Sequence, residues 1–518
     1  MDLGFQFPSP ANLLLLLCLF IIFIFSKLLL MKKKSTPGNL PPGPWKLPLI
    51  GNMHNLIGPL PPHRKLQELS ATFGAVMHLQ IGELSAVVVS TPSAAKQVMK
   101  THDINSASRP HTVATEIFTY GGASISFSDY GDYWRQLRKI STLELLSNKR
   151  VSSFRSIREE ACLELARGVA SHVGGPAVNL TEKLFSFEYG LVSRATLGKK
   201  TEVKERLLPI LREGTGLAAG FDIADVYPSV KVLQMVSGMR RRLVKLHVEA
   251  DSILDEIIRD RKVDGGGTTA VKKEGEEEDD LLGVLLRMDD DGRLEIPLTT
   301  DNVKAVLVDI LTAGSETSAI TIDWAMSEML RNPRILKKAQ DEVRRVFDDK
   351  GYVDESKINE LKYLKSIIKE TLRFHPPVPI LLPRKCMRKC EIDGYEIPVD
   401  TKIMVNAWAI NRDPKYWEDA DCFRPERFLD SLVDYKGNHF EYIPFGAGRR
   451  MCPGISFGMA NVELPLAMFL YHFDWSLPDG MKHQELDMTE RSGVTARRND
   501  DLLVIPVIKR PLALPHVT

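Results

Sequence analysis

Cys452 lies in the run Phe445-Gly446-Ala447-Gly448-Arg449-Arg450-Met451-Cys452-Pro453-Gly454. A cysteine among glycines, with an arginine two residues before it, suits a thiolate held against a metal. The glycines let backbone approach a flat ligand and offer amide hydrogens to the sulfur, and the fixed cation meets an anionic group. Haem is the flat, anionic ligand of that description; a buried structural cysteine in a glycine-rich turn is the other reading. Upstream, Glu370 and Arg373 stand at i and i+3 of a helical pattern, so both point the same way, although most such pairs are exposed and worth about 0.2–0.5 kcal/mol. Pro425-Glu426-Arg427-Phe428 follows in the order of the chain. A third signal is the run Ala313-Gly314-Ser315-Glu316-Thr317-Ser318 inside a long helical pattern. A glycine there costs about 1 kcal/mol relative to alanine, and something should offset it.

The spacing F-x-x-G-x-R-x-C-x-G resembles the haem-ligand loop of cytochromes P450, and the resemblance runs over essentially the whole chain. It implies a mainly α, P450-type fold with a small β-rich region and an N-terminal transmembrane helix, holding haem b. Cys452 would be the axial iron ligand, whose thiolate pushes electron density onto the metal and favours O–O cleavage. Arg450 would pair with a haem propionate and Phe445 would pack beside the sulfur. Glu370, Arg373 and Arg427 would form a buried charged triad behind the loop. The run containing Gly314 resembles the family's oxygen-binding groove, with Glu316 and Thr317 as an acid–alcohol pair that delivers protons. The plain alternative is a threonine bonded back to its own helix and a solvated glutamate. Trp134 and Arg138, at i and i+4, would contact the propionates, with Arg384 as a third candidate. By family position, Val306, Ile310, Ala313, Val378, Ile380 and Val494 would line the substrate pocket, together with the stretches 112–124 and 217–221 and the rest of 378–381 and 493–495; plain core packing is the alternative for each.

The supporting elements are legible in part. A helix is expected from about Thr299, where threonines and Asp301 mark a start, to Asn332-Pro333, with a stripe of Val303, Val306, Ile310, Gly314, Thr317 and Thr321. Strands are expected at 85–89 and 401–405. Leu13 to Met31 approaches the roughly 20 apolar residues that cross a bilayer, and Lys32-Lys33-Lys34 follow, which places the remaining chain in the cytosol. The expected organisation is a tail and anchor over 1–31, a basic stop and proline-rich hinge over 32–48, and a catalytic domain over 49–518 carrying a solvated acidic loop at 265–280. Across 518 residues the formal charge is +1, so nothing suggests a nucleic-acid partner. Six cysteines show no paired framework, and Cys386 and Cys390 read as incidental.

Several stretches, such as Tyr130-Gly131-Asp132-Tyr133-Trp134-Arg135-Gln136, resemble the plant A-type microsomal branch. That resemblance implies a monooxygenase of the endoplasmic reticulum membrane, single-pass, acting with O2 on a lipophilic specialised metabolite. Its electrons would come from NADPH through NADPH–cytochrome P450 reductase, since no dinucleotide fingerprint follows a strand. The nearest likeness is to sesquiterpene and diterpene hydroxylases. An alkaloid monooxygenase, for instance of an indole alkaloid, and a reductase-independent haem-thiolate isomerase are the alternatives.

Overall fold

The computed structural model describes residues 38–198, 201–218, 222–264, 280–290, 292, 294–491 and 493–512. The proposed anchor and basic stop therefore lie outside the described residues, as does 265–279 of the expected loop. Asp280 departs from that expectation. It is buried, ion-paired to Arg261, and its carboxylate accepts the Gly283 N–H at 2.8 Å, so it starts a helix rather than sitting in solvent.

The longer helices are α1 (Pro62–Phe73), α2 (Asp132–Ile140), α3 (Arg155–Ala170), α4 (Leu180–Leu197), α5 (Thr201–Ala218), α6 (Gly238–Asp264), α7 (Leu281–Asp290), α8 (Thr300–Arg331), α9 (Pro333–Phe347), α10 (Lys362–Phe374) and α11 (Ile455–His472). Helix α8 organises the rest. Thr299 caps it reciprocally with Asn302, Oγ1 accepting the Asn302 N–H at 3.2 Å and Asn302 Oδ1 accepting the Thr299 N–H at 3.0 Å. Asn332-Pro333 ends it, as the sequence predicts. At about 1.5 Å per residue its 32 residues span about 48 Å. It is long and apolar enough to cross a membrane, yet most of its surface is covered by protein. The expected stripe is thus part of a rod buried on several faces, packed against α4 and α11.

The strands are β1 (Val76–Ile81), β2 (Leu84–Val89), β3 (Val178–Asn179), β4 (Arg384–Lys385), β5 (Cys390–Ile392), β6 (Tyr395–Ile397), β7 (Lys402–Val405), β8 (Phe473–Ser476), β9 (Glu490–Arg491), β10 (Arg497–Arg498) and β11 (Leu503–Ile508). The main sheet runs β1-β2-β7-β4. Both predicted strands are in it, side by side and parallel, with Ala86 opposite Lys402 and Val89 opposite Val405. A Val-rich strand buried along most of its length fits this central position. The sheet's edge strand β4 carries Arg384 towards the cysteine loop, while α10 and α11 flank that loop in sequence and pack against each other.

Candidate functional site

Glycine shapes the cysteine loop. Gly446 and Gly448 take φ of 69° and 71°, and a Cβ on Gly448 would lie 1.9 Å from the Met99 carbonyl oxygen. That close approach lets the buried carboxylate of Asp103 accept the Arg449 N–H at 2.9 Å. Asp103 also accepts from Arg384 Nη1 at 2.7 Å, and Arg384 Nη2 donates to the Ala447 carbonyl at 3.0 Å. Cys452 N–H closes the loop onto the Phe445 carbonyl at 3.0 Å. The sulfur and Phe445 then line one cavity, with Tyr435 packed edge-on against the Phe445 ring at 5.2 Å. Burial pushes the Cys452 thiol up, and the Gly454 N–H and the Arg138 cation counter it.

Four arginines, Arg109, Arg138, Arg384 and Arg450, line the same cavity. Arg450 donates to the Ala107 carbonyl at 2.6 Å and the Ile125 carbonyl at 3.2 Å, and lies 4.3 Å from the centre of the Trp134 ring. The Trp134 N–H is itself donated to Ile125 at 3.1 Å, so this side chain offers the cavity wall its face. Arg138 holds the Met451 carbonyl at 2.5 Å. Burial, and then the neighbouring Arg384 charge, push Arg450 down to about 9; burial and the Arg450 and Arg384 charges drive Arg109 well below the usual arginine range. Among the described lining residues Asp309 is the one carboxyl. A wall of crowded, poorly solvated cations is relieved by an anion set against it. Two carboxylates on a flat ring bound by the sulfur meet that need, so these residues fit a haem.

The triad is assembled. Glu370 and Arg373, both 0 % exposed, pair through Nε–Oε2 at 2.7 Å and Nη2–Oε1 at 2.8 Å, and Arg427 Nε donates to Glu370 Oε1 at 3.0 Å. Arg373 also donates to the Asn411, Ala420 and Cys422 carbonyls. One side chain of α10 therefore binds together the long segment that leads into the cysteine loop.

Along α8, Ala313, Gly314 and Thr317 line the cavity opposite the loop. The helix stays continuous through Gly314, where a Cβ would meet only Val192 and Phe457 at 3.5 Å or more. Around Gly314 four hydroxyls bond back to it: Ser315 to Leu311, Thr317 to Ala313, Ser318 to Gly314 and Thr321 to Thr317, at 2.7–2.9 Å. Thr317 thus spends its proton on Ala313 and keeps its oxygen as an acceptor. Glu316 is buried outside the cavity lining, and its Oε1 accepts from the Thr495 hydroxyl at 2.7 Å.

The family pattern named Cytochrome P450 matches residues 41–504. The chain belongs to the cytochrome P450 family. Salviol synthase of Salvia pomifera is 59% identical over 96% of this chain and 98% of its own, and premnaspirodiene oxygenase of Hyoscyamus muticus is 51% identical over 95% and 98%. A zebra fish cytochrome P450 structure with progesterone superposes with a TM-score of 0.71 at 25% identity, covering 86% of this chain and all of that one. These likenesses make it a plant A-type P450 monooxygenase whose cofactor is haem and whose electrons come from NADPH through a reductase.

In this P450 the cavity has a volume of about 270 Å³. Ile310, Ala313 and Val378 line it; Val306, Ile380 and Val494 do not. Val306 packs into the core cluster with Leu307, Leu311 and Phe457, and Ile380 packs with Met404 and Leu79 beside the sheet. Val494 is half-buried in a turn whose next residue, Thr495, bonds to Glu316. From the stretch 112–124 no residue lines the cavity; the neighbouring Ile125 and Ser126 do. Sequence reasoning missed Arg109, Asp103 and Asp309. Each acts through partners from distant segments, such as Arg109 Nη1 on the Leu382 carbonyl at 2.5 Å, and no local spacing marks them.

Proposed function

We propose that this P450 inserts one oxygen atom from O2 into a C–H bond of a sesquiterpene or diterpene, at the endoplasmic reticulum membrane with its catalytic domain in the cytosol. NADPH–cytochrome P450 reductase would be its electron donor. The observation that carries the substrate class is the engagement of Asp309, the one carboxyl lining the cavity among the described residues. Asp309 Oδ2 accepts the Ser126 N–H at 2.8 Å, and burial lifts its pKa to about 6. A basic alkaloid would want a carboxylate free of other partners to pair with its nitrogen. Here that group is spent on the loop, and the surface around Ile310, Ala313, Val378 and Leu381 is apolar. Such a chamber binds by excluding water from hydrocarbon and orients by shape. The names of the two relatives above agree with a terpenoid product class.

Each residue then has a physical task. Arg109, Arg138, Arg384 and Arg450 would hold the propionates, and Cys452 the iron. Bound there, haem supplies O2 activation, assisted by the electron-donating thiolate. The Thr317 oxygen accepts a hydrogen bond from water at the cavity wall, and Glu316, one residue away, connects that water to the exterior. Leu381, Val378 and Ile310 exclude bulk water, which would otherwise deliver protons wastefully. Exposed Lys139 and Arg449 lie on the cysteine side as a basic docking face for an acidic flavoprotein. The test is to supply reductase, NADPH and panels of terpenes and alkaloids, and to look for products heavier by one oxygen. NADPH-dependent oxygenation of terpenes supports the proposal; turnover without NADPH, or of alkaloids alone, overturns it.

A further inference from the structure

Glu316 is positioned by groups that no haem-binding or cavity-lining role explains. Thr495 donates its hydroxyl to Glu316 Oε1 at 2.7 Å from the turn between β9 and β10. That turn is fixed on both sides of its next residue: Ala496 N–H donates to the Pro377 carbonyl at 2.9 Å, and Ala496 O accepts from Trp324 Nε1 of α8 at 2.9 Å. The hydroxyl therefore arrives from a rigid support, anchored on the same helix as the carboxylate it meets.

A second, independent observation concerns Tyr189 on α4. Its hydroxyl is buried and has no hydrogen-bond partner among the described residues. An orphaned buried hydroxyl costs free energy unless something binds it. Burial, and next the charge of Glu316, raise its pKa to about 12, while Arg212 and Arg497 act in the opposite sense. Those two cations flank Phe185, one helical turn before Tyr189, with guanidinium carbons 5.3 and 5.8 Å from the ring centre. Arg212 is exposed. An exposed cation thus stands beside Phe185, Tyr189 follows one turn on, and the Glu316 charge acts on Tyr189.

We propose that Thr495 and Tyr189 are positioning residues of the proton path: Thr495 fixes the Glu316 carboxylate, and the Tyr189 hydroxyl, through water, links it to the solvent beside Arg212 and Arg497. The inference rests on the assignment of Glu316 and Thr317 to proton delivery. Reducing one oxygen atom of O2 to water takes two electrons, which NADPH supplies through the reductase, and two protons. For each proton that leaves the path at Thr317, one enters from solvent at the arginines, and Tyr189, Thr495 and Glu316 end as they began. A broken path leaves the same two electrons and two protons to emerge as hydrogen peroxide.

The experiment uses the full-length holoenzyme with reductase and premnaspirodiene as the added hydrocarbon, comparing T495V, T495S, Y189F and E316Q. Peroxide released per NADPH consumed and the solvent deuterium isotope effect on NADPH consumption are read together, with haem content as the control for folding. T495V and Y189F should raise the peroxide fraction and slow coupled turnover by about tenfold, a part of the 10²–10⁴ typical of a positioned proton donor. T495S should restore wild-type behaviour. Without turnover, the infrared carboxylate band lost in E316Q should shift in T495V and return in T495S. If E316Q uncouples while T495V and Y189F match wild type, this inference is overturned alone. If E316Q itself leaves coupling unchanged, the assignment of Glu316 to proton delivery is overturned.

Discussion

Glu370→Ala should cost the protein its haem. Four hydrogen bonds converge on this carboxylate: two from Arg373, one from Arg427 Nε and one from the Arg424 N–H at 2.8 Å. Breaking a buried ion pair from one side costs about 3–5 kcal/mol, because the surviving charge is left in a medium that cannot solvate it. Arg373 keeps its three carbonyl partners, which places the loss near the lower end, about 3 kcal/mol. Against a total of about 5–15 kcal/mol that is a large fraction. It falls on the segment 411–427 that leads into the cysteine loop. Haem per polypeptide and the thermal midpoint are the assay, with Lys337→Ala as comparison. Lys337 pairs with Asp341 on the exposed face of α9, where such a contact is worth about 0.3–0.5 kcal/mol. Normal haem content and an unshifted midpoint in Glu370→Ala, or equal effects in the two variants, would remove the triad from the explanation.

Gly448→Ala should abolish haem incorporation, since its Cβ would sit 1.9 Å from backbone at positive φ, whereas Gly314→Ala should fold normally and stabilise α8 by about 0.5–1 kcal/mol; haem content and urea midpoints separate them. Thr317→Ala should keep haem and divert reducing equivalents to peroxide, with Thr317→Ser restoring coupling; unchanged product per NADPH would count against its role. Asp309 gives a pH signature. Its carboxyl holds a proton in the folded state up to about 6 but releases it near 3.8 when unfolded, so stability falls as pH rises from about 4 to 6, by up to about 3 kcal/mol. Asp309→Asn should flatten that part of the urea-unfolding curve, and an unchanged slope would show that the group titrates normally.

What could be read in the sequence follows from how each feature is built. The cysteine loop, the Glu370–Arg373 pair and the capped start of α8 are short-range objects, so spacing alone encodes them. The strands at 84–89 and 402–405 were legible as apolar runs, though their parallel pairing was not, because it joins segments more than three hundred residues apart. Val306 shows where periodicity stops informing: α8 is buried on several faces, and an apolar position on it points at core as readily as at cavity. Asp280 reads as one more acid in an acidic run, and only its Arg261 partner makes it a buried cap. Arg109, Asp103 and Thr495 are ordinary loop residues until the fold brings the Leu382 carbonyl, Arg384 and Glu316 to them.

The most direct test is the absorption of the purified protein after chemical reduction and exposure to carbon monoxide. Ligation by the Cys452 thiolate should give the strongly red-shifted Soret band of a haem thiolate, and Cys452→Ser should lose it while the wild-type protein keeps it. A wild-type spectrum without that band, or a Cys452→Ser protein that retains it, would contradict the assignment of the iron to this sulfur.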